Sequence, residues 1–314
     1  MFHRLIIAFG FMVFASGLMV PLHAQQAPDT KGDTPPSQPA TTANEPAPKP
    51  AIAQPSSPEA VALKKLLDSL SPGNDDEERN ERAATVSFYE ARGYAPLWIT
   101  PAGGFTPNAS LVVEELSRAD EWGLEPHDFP LPSLATAPAT NPDAIATAEL
   151  DVSLMVLRYG RFARGGRIIN PSEQLSSHLD RRPQFIKPIT ILEGIAAAAQ
   201  PDAYLRGLHP VHPQFEKLRQ KYLALIKRGD QTANSKKAKG VSAAAKRLLA
   251  NMEEWRWMPT NMGEIYVWNN IPEFTQRVIK NGQIIRKERI VAGEVGKQTS
   301  IFSRPLRKIT FKPT

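Results

Sequence analysis

The chain has 314 residues, 41% hydrophobic and 22% charged, so it is apolar enough to fold and long enough for more than one domain. Its formal charge of +6 comes with acids and bases interspersed, as in Asp75-Asp76-Glu77-Glu78-Arg79. With no basic stripe or recognised binding motif, this argues against a nucleic-acid partner. The absence of cysteine excludes a disulfide framework, a thiolate metal site and a thiol nucleophile within these residues.

Residues 1–24 open with Arg4, continue through the apolar run Leu5 to Val20 and end Leu22-His23-Ala24, the layout of an export signal cut after Ala24. An uncleaved membrane anchor is the alternative, because the run approaches bilayer-spanning length. Residues 25–57 hold many of the 29 prolines among Ala, Thr and Gln, and cannot bury enough apolar surface to offset their ordering entropy. They read as a tether. Membrane contact is expected through the signal segment alone, and anionic envelope polymers are the natural neighbours of an exported basic protein.

From Ser57 the pattern is helical. Ser57-Pro58-Glu59 is a start signal for a helix carrying Val61, Leu63, Leu66, Leu67 and Leu70. A second helix spans about Glu78 to Arg92 and stops at Gly93. Asn108 is placed to cap a third, with Leu111, Val112, Leu116 and Trp122 turned inward. The longest runs from about Asp143 to Arg164 and ends at Gly165-Gly166, and others are expected at Ile189 to Ala199, Pro213 to Lys227 and Val241 to Trp257. Residues 58–228 therefore read as one mainly α domain, followed by a polar loop over 229–240 and a linking helix over 241–260. Beyond this the period switches to alternation. "GEIYVWNN", "EFTQRVIK" and "QIIRKERIVAG" read as strands with a hairpin at Asn281-Gly282, and "RKITFK" adds another. Residues 261–314 thus look like the first strands of a β-rich domain, too few to hold a core unaided, with an exposed edge that invites pairing.

Several side-chain groups carry chemistry, and each has a plainer reading. Val295-Gly296-Lys297 departs from a phosphate loop, because Gly293 is too close, Gln298 follows the lysine and no helix follows. It reads as a hairpin exit. His209 and His212 are spaced like metal ligands, but prolines follow both, which favours a rigid turn. Ser177, His178 and Asp180 are the residue types of a triad without a nucleophile elbow or Ser-x-x-Lys motif. Trp255 and Trp257 around Arg256 could stack on sugar but read as a sealed junction. Arg158, Arg161, Arg164 and Arg167 would form one slanted row on a helix, read as a solvated face partly paired with acids. No catalytic, cofactor or metal residue is assigned, and no cofactor is expected.

Taken together, "FYEARGYAPLWIT" (Phe88 to Thr100), "ADEWGLEPHDFPLP" (Ala119 to Pro132), "LRYGRFARGGRI" (Leu157 to Ile168), "LHPVHPQFEKLRQKY" (Leu208 to Tyr222) and the block from Arg247 to Ser303 resemble the large bacterial murein L,D-transpeptidases. In that family a helical scaffold domain precedes a YkuD-type catalytic domain. The resemblance implies a periplasmic protein of a Gram-negative cell acting on peptidoglycan stem peptides, making 3-3 cross-links by acyl transfer through a cysteine. The family's Ser-His-Gly-Cys-type motif has no counterpart here. The expectation is a mainly α scaffold domain plus the incomplete N-terminal part of the catalytic domain, cut before the nucleophile and inactive as it stands. The alternative expectation is a non-catalytic periplasmic module that binds peptidoglycan or a protein partner.

Overall fold

The structure is a computed structural model and describes residues 11–15, 54–134, 140–232, 242–294 and 296–307. Most of the expected export signal and tether lies outside these residues, but Phe11–Ala15 forms a strand, β1. Helix α1 (Pro58–Asp68) starts as its sequence dictates: the Ser57 hydroxyl accepts the Ala60 N–H at 3.2 Å and Pro58 fills the first turn. Helix α2 (Asp76–Ala91) is capped by Asp75, whose carboxylate accepts the Glu78 N–H at 2.7 Å. The cap of α3 (Pro107–Ser117) is Thr106 rather than Asn108, because Pro107 takes the first helical position and leaves the Thr106 hydroxyl facing the Ala109 N–H. That frame turns Leu111 outward while Val112 and Leu116 stay buried.

Helix α4 (Pro142–Gly165) is the axis of the helical part. Asn141 caps it at 2.8 Å from the Ala144 N–H. Its buried Leu150, Val156, Leu157 and Tyr159 join Leu63 and Leu67 of α1 and Phe88 and Tyr89 of α2 in one core. Short α5 (Pro171–Gln174) and β2 (Leu179–Asp180) follow, then α6 (Pro188–Ala197), which adds Ile191, Leu192 and Ile195 to that core. Helix α7 (Pro201–Gly207), which the periodicity did not separate, seats Leu205 in the same core. Helix α8 (Pro213–Thr232) runs into the segment expected to be polar loop, and α9 (Ala243–Arg256) is the linking helix.

A buried carboxylate fixes the loop between α2 and α3. Glu149 of α4 accepts the backbone N–H groups of Leu97, Trp98 and Ile99 and the Tyr89 hydroxyl, the last at 2.6 Å. Ser153, one turn on, accepts the Trp98 indole N–H at 2.8 Å. "PLWIT" is therefore held outside any regular strand or helix: one side chain satisfies its N–H groups at 97–99, the Thr100 N–H donates to the Gly104 carbonyl at 2.8 Å, and Ile99 makes an isolated bridge to Phe105.

Strands β3 (Ile265–Asn270), β4 (Thr275–Lys280) and β5 (Gln283–Arg289) form an antiparallel meander. Asn281 and Gly282 turn it at φ 51° and 76°, the left-handed pair a two-residue hairpin needs. Strand β6 lies at Ile301–Leu306, a segment not expected to be a strand, while the expected strand "RKITFK" falls almost wholly in residues 308–314, outside the described segments. Pro305 hid this strand from the sequence reading; it sits in a parallel pairing opposite Phe14. The sheet order is β2-β6-β1-β3-β4-β5, with β1 antiparallel to β3 and parallel to β6.

Candidate functional site

The helical part and the meander meet along α8 and α9. A second core there contains Phe215, Tyr222, Met252, Trp255, Met258 and Met262, with Tyr266 and Trp268 of β3 packed against it. Trp255 meets Trp268 edge-on at 5.9 Å between centroids and lies 5.2 Å from the His212 ring. Arg256 is fully buried, donating to the Trp122 carbonyl at 2.7 Å and to Glu253 at 3.4 Å. Burial lowers its pKa, and the Glu253 charge opposes that shift. Glu253 also accepts the backbone N–H groups of Arg167 and Ile168, just past the end of α4. The "WRW" motif is thus a seal between helices and sheet, as the plainer reading held.

Period-two alternation puts Tyr266, Trp268 and Asn270 on one face of β3. The register sets Ile279 beside Tyr266 and Arg277 beside Trp268, and Ile284 of β5 opposite Ile279. This face and Gln214 in the first turn of α8 bound a cleft of about 280 Å³, joined by Glu273 from the β3–β4 turn. Arg277 is ion-paired with Glu273, and that guanidinium holds the Glu273 carboxyl below the usual carboxylate range. The cleft therefore combines two rings, amides and a neutralised charge pair. Alternation alone could have aligned Tyr266 with Trp268, but the Gln214 wall depends on how α8 docks.

The other candidate groups are structural. His209 is stacked on Trp122 at 4.3 Å and hydrogen-bonded to the Tyr159 hydroxyl at 2.9 Å, while His212 bonds the Pro259 carbonyl at 2.9 Å. The two imidazoles thus serve separate partners, and the described residues contain no metal-binding cluster. Burial, ahead of the Arg256 and Arg219 charges, pushes the His209 pKa well below its ordinary value.

Asp180 pairs with Arg304 at 2.7 Å, and the His178 carbonyl accepts the Ile301 N–H at 2.7 Å, so both tie β2 to β6 while Ser177 is exposed. The arginine row is partly paired with acids as expected, Arg158 also reaching Glu78 at 3.9 Å, but its helical members do not form a solvated face. Arg161 pairs with buried Glu81 at 2.7 Å, Arg158 donates to the Asp128 carbonyl at 3.2 Å, buried Arg164 bonds Thr260, and Arg167 lies beyond the helix. Of the Val295-Gly296-Lys297 group, Val295 is outside the described residues. Lys297 closes a turn onto Glu294 with its backbone N–H at 2.9 Å.

A family model described as a Scaffold domain matches residues 83–221. The match runs from within α2 to within α8, so it contains α4, the Glu149 anchor and the wall of the cleft. The chain thus carries a scaffold domain followed by a strand-containing region. No curated protein and no solved structure matches the chain.

Proposed function

We propose that this chain is the scaffold and leading catalytic-domain strands of a peptidoglycan L,D-transpeptidase, exported to the periplasm and engaged in cell-wall remodelling. The carrying observation is the Scaffold-domain match at 83–221, followed at the end of α9 by the "WRWMP" seal and then the "VWNNIPEF" strand that resemble the same family. In this reading the described residues bind and position wall polymer. The acyl transfer of the family needs a thiolate nucleophile, and these residues contain no cysteine. Residues 1–24 are the export signal, cut after Ala24, and residues 25–57 are the tether.

Expression of the full chain in a Gram-negative host tests this. The expected result is a periplasmic protein beginning at Gln25 that crosslinks to the insoluble wall fraction. An unprocessed cytoplasmic chain, or a processed one absent from crosslinked wall, would contradict it. Intact mass after carbapenem treatment should show no acyl adduct on these residues.

A further inference from the structure

Resting on the peptidoglycan reading above, we propose that the cleft of Tyr266, Trp268, Arg277, Glu273 and Gln214 is a subsite for the uncharged glycan of the wall polymer rather than for its peptide stems. Its size comes first. At about 280 Å³ it lies near the lower end of the roughly 300–1,000 Å³ typical of ligand sites, which suits one or two sugar rings. Its chemistry comes second. Tyr266 and Trp268 share one face and are both half-buried, and Trp268 is braced from behind by Trp255. Braced rings lose little side-chain freedom on binding and offer flat apolar surface to the C–H faces of a pyranose.

Charge decides between glycan and peptide. The lining cation, Arg277, is ion-paired with Glu273, Lys287 stands opposite it on β5 outside the lining, and the other polar groups of the lining are the amides Gln214 and Asn270 and the Tyr266 ring. A stem peptide brings carboxylates whose binding would need an unpaired cation or an array of donors. A neutral polyhydroxylated ring needs donors and acceptors of both kinds without net charge, which amides and a charge pair supply. Position comes third. The cleft lies where α8 of the scaffold domain meets the meander, so an occupant would touch both parts at once.

The test is titration of the full chain with chitotetraose, a neutral N-acetylglucosamine oligomer standing for the glycan backbone, with the free tetrapeptide stem and with cellotetraose, read by tryptophan fluorescence and calorimetry. Chitotetraose should bind, the stem should neither bind the cleft nor compete, and cellotetraose, which lacks the acetamido groups, should bind more weakly. Gln214→Ala should weaken glycan binding about fivefold, the loss of a neutral hydrogen bond, with unchanged circular dichroism. Trp268→Phe, which keeps an aromatic ring against Trp255, should retain binding while removing most of the fluorescence change. Glu273→Gln, which frees Arg277, should admit the anionic stem. Binding of stem but not glycan, or glycan binding indifferent to Gln214→Ala, overturns the inference while leaving the peptidoglycan reading intact. If glycan and stem both fail to bind and the chain also fails to associate with whole wall, both fall.

Discussion

Glu149 shows how much of this fold hangs on single buried groups. Its carboxylate serves the N–H groups of Leu97, Trp98 and Ile99 together with the Tyr89 hydroxyl, and burial raises its pKa. Glu149→Ala strands those donors in the core. At about 1–3 kcal/mol for an unsatisfied buried group, with partial relaxation, the loss should be on the order of 3–5 kcal/mol, read as a lower denaturant midpoint. A fall of under about 1 kcal/mol would show that water replaces the carboxylate.

Gly166 is a second such point. It takes φ 82°, and a Cβ there would sit 2.4 Å from the Glu253 Oε1. Gly166→Ala should cost about 1–3 kcal/mol through strain and displacement of Glu253.

Glu254 gives a pH signature. Burial raises its carboxyl from an ordinary 4.5 to about 7, against the opposing charge of Arg181. The folded chain therefore holds a proton that the unfolded chain releases. This contribution is complete below about pH 4.5 and is lost as pH rises through about 7, up to roughly 3 kcal/mol. His209 acts with the opposite sign: its depressed pKa means stability is lost as pH falls below its ordinary value of 6.5. Glu254→Gln should remove the first slope and leave the second, measured as midpoint against pH from 4 to 8. An unchanged profile would sink the assignment.

At the scale of elements, what the sequence revealed and what it hid divide along physical lines. The helix start at Ser57 was legible because its capping side chain precedes proline and capping is local, whereas Asn141, also before a proline, went unread and the helix was started at about Asp143. The Asn108 misplacement was a competition within one turn, won by Thr106 because Pro107 suits the first helical position. The hairpin at Asn281-Gly282 was legible for the same local reason. The arginine row's acid pairing was legible but its burial was not, because its partners, Glu81 on α2 and Thr260 beyond α9, are far away in sequence. Strand β6 was missed because Pro305 breaks the alternating pattern without breaking the parallel pairing. The cleft was half legible: alternation aligns Tyr266 with Trp268, whereas Gln214 joins them only through tertiary packing. Asn141→Ala tests the capping logic, with an expected loss of about 1 kcal/mol in thermal or chemical unfolding; no loss would mean that the cap is dispensable there.

For the molecule as a whole, the sheet is the revealing feature. Strand β1 comes from the segment read as an export signal, yet it fills the place between β3 and β6 with ladders on both sides. If that signal is removed after Ala24, both neighbours acquire an open edge, and β5 already presents one with exposed Ile284 and Ile285. Open apolar edges favour pairing with other chains. The chain from Gln25 onward should therefore associate more strongly with increasing concentration than the full chain, as seen by light scattering, and exchange its β3 amides faster. Equal behaviour of the two forms would mean that β1 contributes nothing to the sheet.

Co-sedimentation of the chain from Gln25 onward with purified sacculi tests the proposed binding of wall polymer by the scaffold domain and the adjoining cleft. Saturable binding that survives moderate salt, competes with neutral chitotetraose and weakens in Gln214→Ala is the predicted result. Retention that is abolished by salt and indifferent to glycan would reduce the interaction to the basic charge of the chain and contradict the account.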